Sequence, residues 1–256
     1  MSPHLTDTAE STVNLADRAY FAVRERILRG ILQLGAPVSS RTMAQELGMS
    51  HLPVSQALGR LEKEGFLESR PRVGTRVRVP TEEDIRDRYE VREALESQAA
   101  RLFAVKATPA QKRELLRMAE QLDALFNRSA SGEHEPEFLY AVHSYHFDLH
   151  MKIAEYASCA ALRDLIERNQ ILTFNWFYDV VARRRSLPAT FHRDLAGVLV
   201  AGAAGAADAA MRDHIRYGRD DRIRGIQHQV PSEWRERRRN SKDVCDPRVQ
   251  SQSCRR

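Results

Sequence analysis

The sequence predicts a mostly α-helical protein: an N-terminal winged helix-turn-helix, made of three helices plus a β-hairpin, followed by an all-α antiparallel helical bundle. Apolar residues recur at helical spacing through most of the chain. The period changes to strand-like alternation only over residues 66–79, where a Pro and a Gly mark a turn. No strand pattern follows between residue 82 and about residue 225.

Three helices are expected before the hairpin, over residues 15–33, 40–47 and 50–64. Ser39 or Ser40 caps the second helix and Gly48 ends it, because a short hydroxyl side chain suits an N-cap and glycine suits the left-handed residue after a helix. The hairpin strands are predicted at residues 66–69 and 75–79.

Pro80 and Thr81 separate this module from the second one. The predicted domains are residues 15–80, the winged helix-turn-helix; residues 81–228, the helical bundle; and residues 229–256, a polar, basic and disordered tail. Helices of the bundle are expected at residues 82–105, 109–128, 136–156, 159–184, 188–202 and 205–224.

Composition and charge exclude several classes of protein. No apolar run approaches the roughly 20 residues that cross a membrane, and the N-terminus lacks a secretory pattern. The three cysteines form no CxxC pair, which favours a reducing cytoplasm. Residues 15–80 hold 11 Lys and Arg against 6 Asp and Glu, a charge of +5 that indicates contact with a polyanion.

The third helix has the features of a DNA-recognition helix. In a helix-turn-helix the second of the paired helices enters the major groove, and its N-terminal side chains meet base edges. The polar face of this helix includes His51, Ser55, Gln56 and Arg60, while Arg41 and Arg72 extend the basic surface. Gln suits adenine, whereas Arg60 is better placed for phosphates. A trihelical unit that serves packing alone is the plainer alternative.

Histidines form the second notable pattern. His143, His146 and His150 share one face of the helix at 136–156, and the last two lie one turn apart, as two metal ligands would. The HExxH motif is absent, because position 147 is Phe, so a zinc peptidase is not expected. His192 and His214 each share a face with apolar residues on later helices. Buried, hydrogen-bonded histidines and a metal site both remain open on this pattern alone.

At the N-terminal module the chain resembles GntR-type bacterial transcription regulators. The matching run is VRERILRGIL followed by SRTMAQELGMSHLPVSQALGRLEKEGFLESRPRVGTRV. The resemblance implies operator contacts, and Arg41, Ser50, Pro53 and Gly74 keep the family residues. His51 and Ser55 stand where the family has arginines, and these bind a phosphate or base more weakly.

Residues 82–220 resemble the FCD ligand-binding domain of FadR-like GntR regulators, through TEEDIRDRYEVREALESQAARLFA and the segments around His150 and His192 to Ile215. That resemblance implies a divalent metal, zinc or nickel by the imidazole donors, at His150, His192 and His214. His146 replaces the family's Asp or Asn ligand. Arg92 matches an arginine that pairs with an effector carboxylate, although an ion pair with Glu96 is an equal alternative. His143 is assigned to the effector pocket.

The predicted function is that of a cytoplasmic transcription regulator, a repressor that binds a near-palindromic double-stranded operator as a homodimer. A small organic-acid or sugar-acid effector at the metal would control it. We expect that the protein is not an enzyme and that it does not contact a membrane. Two rivals remain: a metal-dependent hydrolase or lyase, and a regulator whose metal is purely structural.

Overall fold

A computed structural model of the chain describes residues 14–70, 74–132, 135–169 and 187–229. The N-terminal part is a winged helix-turn-helix, which confirms the predicted fold class. Its elements are α1 (Leu15–Leu28), α2 (Ser40–Leu47), α3 (His51–Lys63), β1 (Leu67–Arg70) and β2 (Gly74–Val77). The strands pair antiparallel, with Leu67 opposite Val77, and Pro37 adds a single bridge to Arg76.

Local capping explains where these helices begin and end. The Ser39 side chain accepts a hydrogen bond from the Thr42 N–H, and Gly48 ends α2 with a φ of 63°. Helix α1 ends at Leu28, earlier than residue 33. The cause is Gly30, whose φ of 70° turns the chain out of the helix.

The six helices predicted for the C-terminal part are present in outline over the described residues. They are α4 (Glu82–Lys106), α5 (Pro109–Ala130), α6 (Pro136–Tyr156), α7 (described over 160–169), α8 (Phe191–Val200) and α9 (Ala204–Gln229). The predicted helix at 159–184 is described only to residue 169, and the predicted tail lies outside the described residues from 230 onward. Helices α4 and α5 begin with capping boxes at Thr81 and Thr108.

The two parts have separate hydrophobic cores. One gathers apolar residues between Ala19 and Val77, and the other gathers those between Ile85 and Ile223. In the second, α4 packs against α9 and α6, and α5 packs against α6 and α8. This packing turns the histidine-bearing faces of α6, α8 and α9 inward. Within the described residues, no helix is both long and apolar enough to cross a bilayer.

Candidate metal centre and DNA-binding surface

Four histidines from three helices converge inside the helical domain. Helix α6 supplies His146 and His150, α8 supplies His192, and α9 supplies His214. His150 Nε2 lies 3.0 Å from His146 Nε2 and 3.2 Å from His214 Nε2. One ring nitrogen from each of His146, His192 and His214 lies within 4.8 Å of the others. His150, His192 and His214 are buried, and His146 is partly buried.

The separations of 3.0 and 3.2 Å at His150 Nε2 suit ligands of one cation. Two nitrogens that each lie about 2.0–2.1 Å from a metal, at octahedral to tetrahedral angles, are about 2.8–3.4 Å apart. Without a cation, His150 Nε2 would lie against two other imidazole nitrogens. Each of these two contacts would need a proton on one of its two nitrogens to be a hydrogen bond. An all-imidazole donor set suits zinc, nickel or copper better than magnesium or calcium. The residues present therefore fit a divalent transition metal.

A buried carboxylate orients each of two of these rings. His150 Nδ1 lies 2.6 Å from Glu96 Oε2, and His192 Nδ1 lies 2.7 Å from Asp123 Oδ1. Because an ionised carboxylate only accepts hydrogen bonds, we assign the N–H to Nδ1 in both rings, which leaves Nε2 as the lone pair toward the cluster. His214 has no such partner among the described residues, since its buried Nδ1 makes no hydrogen bond.

Electrostatics keep both carboxylates ionised. Burial acts to raise the pKa of Glu96, but Arg92 and His150 outweigh it and lower that pKa to about 2. Burial likewise opposes the lowering of the Asp123 pKa, which results from hydrogen bonds donated by the His192 ring and by the backbone N–H groups of His192 and Arg193. Burial and the neighbouring His150 and His192 hold the pKa of His214 well below its usual value, so this ring is neutral.

The two residues predicted to bind an effector are buried near the centre. Arg92 donates from Nε to Glu96 Oε1 at 2.8 Å, so the ion pair that the sequence left as an alternative is present. The guanidinium also lies 4.8 Å from the centre of the Tyr89 ring. His143 is 2 % exposed and packs edge-on against Phe126, one helical turn before His146. Their effector role stays a prediction.

Sequence reasoning missed three residues of this region: Glu96 as a histidine partner, Asp123 and Arg222. Arg222 is buried on α9, two turns beyond His214, and burial lowers its pKa to about 10. It is close enough to lower the pKa of His214 electrostatically, together with Arg92. For Arg222, the signal in the sequence was that positions 214 and 222 lie on the same side of one predicted helix.

The structure exposes part of the predicted DNA-binding surface. Arg41, Ser55 and Gln56 are exposed on α2 and α3. Exposed His51 lies with its Nε2 2.8 Å from Ser40 Oγ, linking the starts of these two helices. Ser50 stands at the N-cap of α3, but its side chain makes no capping hydrogen bond. DNA contacts by these five residues stay predictions.

The remaining predicted contact residues are Pro53, Arg60, Arg72 and Gly74, and the first two pack against other parts of the protein. Pro53 is buried, so its ring packs in the core. Arg60 bonds Glu64 at 3.0 Å and Asp17 at 3.2 Å and stacks 3.8 Å from the centre of the Tyr20 ring. Gly74 has a φ of 91°, a conformation that side chains disfavour, at the start of the wing's second strand. Arg72 lies outside the described residues.

A winged helix-turn-helix joined to an all-α domain with an inward histidine cluster is the architecture of a DNA-binding regulator with a separate second domain. Residues 15–77 match the family described as "Bacterial regulatory proteins, gntR family", and residues 87–217 match the FCD domain. The chain therefore belongs to the GntR family, in its FadR-like, FCD-containing branch. Proteins of this family are transcriptional regulators that bind DNA operators and are not enzymes, which removes the hydrolase or lyase alternative.

Individual relatives agree with this assignment. The chain is 48% identical over 84 residues to a Paenarthrobacter nicotinovorans protein named "Probable D-xylose utilization operon transcriptional repressor", across 33% of this chain and 37% of that one. It is 27% identical to an HTH-type regulator of Streptomyces ambofaciens, across 79% and 82%. A GntR regulator structure from Rhodococcus sp. RHA1 shares the fold, with a TM-score of 0.66, 20% identity and coverage of 84% and 99%.

Proposed function

We propose that this regulator is a cytoplasmic repressor whose operator affinity is set by a small carboxylate effector bound at a divalent metal. The observation that carries the proposal is the convergence of the His146, His150 and His214 Nε2 atoms within 3.0–3.2 Å contacts. With the Nδ1 protons of His150 and His192 directed at carboxylates, the candidate ligand atom of each ring is Nε2. When bound, the metal would supply a Lewis-acidic position for an effector oxygen.

Buried positive charge beside the cluster supports an anionic effector. Arg92 and Arg222 are both buried, and each disfavours the charge of the other. Glu96 offsets Arg92 but also accepts from His150. An effector carboxylate beside these two arginines would accept charge-assisted hydrogen bonds from a guanidinium group. Our candidates for effector binding are therefore Arg92, Arg222 and His143, which are all buried.

DNA binding and effector control are proposed to act through a homodimer. A two-fold dimer places two recognition helices on two half-sites of a near-palindromic operator and raises their effective concentration. The effector must bind the two arrangements of the dimer with different affinities, since equal affinity would shift nothing.

Elemental analysis of the purified protein, combined with a gel shift on the chain's own promoter region, tests this function. We expect about one zinc or nickel per chain, loss of that metal in His192→Ala, and retention in the matched variant His143→Ala. Organic and sugar acids should weaken the gel shift of the wild type and not that of His192→Ala. The metal would instead be purely structural if it is present and required for thermal stability while no acid tested changes the operator affinity.

A further inference from the structure

A cavity lies apart from the histidine cluster, between the DNA-binding part and the helical domain. Its volume is about 250 Å³, the space of roughly eight water molecules at about 30 Å³ each. Helix α1 contributes Arg24, Glu25 and Leu28 to its lining, α6 contributes Tyr140, Ser144, Phe147 and Asp148, and α7 contributes Glu167. The cavity is thus formed by a helix of the DNA-binding part and two helices of the helical domain.

The charges in this cavity are separated rather than paired. Glu25 bonds Arg29 at 2.6 Å, so its charge is offset. Among the residues that the structure describes, Arg24, Asp148 and Glu167 form no ion pair with one another or with any other side chain. Lys152, the base nearest to Asp148 along α6, bonds Glu155 instead.

The charged residues that line the cavity differ in burial. Arg24 is partly buried, and its Nε is fully shielded from solvent without a hydrogen-bond partner among the described residues. Asp148 and Glu167 are exposed at the rim. Leu28 is buried, and Tyr140 and Phe147 add aromatic surface. A shielded guanidinium N–H without an acceptor is costly, so a ligand acceptor there is favourable.

We infer that this interdomain cavity binds a small zwitterion of the amino-acid class, with its carboxylate at Arg24 and its ammonium group toward Asp148 and Glu167. Such a ligand satisfies the guanidinium and both carboxylates at once, and its side chain would contact Leu28 and the aromatic rings. A simple acid would leave the rim carboxylates without a cation, and a simple amine would leave Arg24 without an acceptor.

This site is distinct from the metal centre. At 100° per residue, the positions 140, 144, 147 and 148 lie roughly 120° around the α6 axis from His146 and His150. The two sites therefore use different faces of one helix. Because one wall belongs to α1, a bound zwitterion would contact both parts of the regulator.

Isothermal titration of the full-length, metal-loaded protein tests the inference, with the twenty standard amino acids as probes. For any amino acid that binds, the matching amine without a carboxylate and the matching acid without an amine are titrated as well. We expect at least one amino acid to bind at millimolar concentration or tighter, and both one-charge analogues to bind roughly tenfold or more weakly.

Three variants locate the site and assign each end. Arg24→Gln should remove the preference for the amino acid over the amine, and Asp148→Asn should reduce its preference over the acid. Ser144→Phe should fill the cavity and block binding without changing charge. His192→Ala should retain binding even if it loses metal, which separates this result from the proposed effector function. Circular dichroism and thermal melting confirm that each variant is folded.

Binding of no amino acid, equal binding of either one-charge analogue, or unchanged binding in folded Ser144→Phe would each overturn the inference.

Discussion

Two neighbouring glutamates on α4 allow a matched test of the metal centre. Glu93 and Glu96 are 7 % and 3 % exposed, and each is paired with arginine. They differ in two respects. Glu96 Oε2 also lies 2.6 Å from His150 Nδ1, and the arginine paired with Glu96 is buried, whereas the arginines paired with Glu93 are partly exposed. A glutamine at 96 keeps one carbonyl oxygen as an acceptor, but it loses the charge that fixes the His150 tautomer.

We expect Glu96→Gln to weaken metal affinity by about 10- to 100-fold, the range for loss of a partner behind a metal-bound histidine. This range corresponds to about 1.4–2.8 kcal/mol. Glu93→Gln should leave the metal affinity unchanged within about twofold, because Glu93 is paired with Arg212 and Arg216 rather than with a histidine. Competition against a chromophoric chelator at constant pH measures both affinities.

Protein stability is the main confounder of this comparison. Glu96→Gln leaves Arg92 buried without its carboxylate, which costs about 3–5 kcal/mol in comparable buried pairs. Melting curves of the metal-free proteins therefore identify the temperature at which both variants are folded, and affinities are compared there. If folded Glu96→Gln binds metal as tightly as Glu93→Gln, the Glu96–His150 contact does not position a ligand and our account of the centre is wrong.

Three further outcomes follow from other contacts. Burial and the hydrogen bond to Glu64 raise the pKa of Tyr20 to about 12. The contribution of Tyr20 to the free energy of unfolding should therefore be complete below about pH 10 and decrease as the pH rises toward 12. Denaturant titrations in which the stability of Tyr20→Phe decreases with pH as much as that of the wild type would contradict this. Leu61 is fully buried, and Leu61→Ala should cost about 2–5 kcal/mol by urea unfolding, a loss under 1 kcal/mol being the contrary result. Arg41→Gln should lower the salt slope of DNA binding by about one unit, and deletion of residues 232–256 should not; the reverse pattern would assign the phosphate contacts to the tail.

Periodicity predicted the helices and the faces of the histidines, because both depend on residues close in sequence. Inward positions on α6 could be identified from the 3.6-residue repeat alone. The ion pair of Arg92 with Glu96 was also predictable, since residues four apart share a helix face. The boundaries of α1 and the strands shifted by a few residues, where a glycine conformation or strand pairing decides.

Partners distant in sequence could not be predicted in the same way. Glu96 and His150 are 54 residues apart, and Asp123 and His192 are 69 apart. Only the packing of α4 on α6 and of α5 on α8 brings them together. Arg60 shows the opposite error: its helix position is exposed, as periodicity predicts, but Asp17 and Tyr20 of α1 pack against it. A single helix pattern carries no information about what a neighbouring helix presents.

Two helices connect the metal centre with the DNA-binding part. Helix α4 carries Glu96, and roughly 18 Å earlier its Asp84 accepts from Arg78 after the wing at 2.7 Å. Helix α6 carries His146, and roughly 14 Å earlier its Glu137 accepts from Arg29 at 2.8 Å. Packed helices shift as rigid elements rather than compress along their length. A ligand that changes the separation of α4 and α6 at the centre therefore has to strain or move at least one of these contacts, and this gives the proposed effector a physical route to the spacing of the recognition helices.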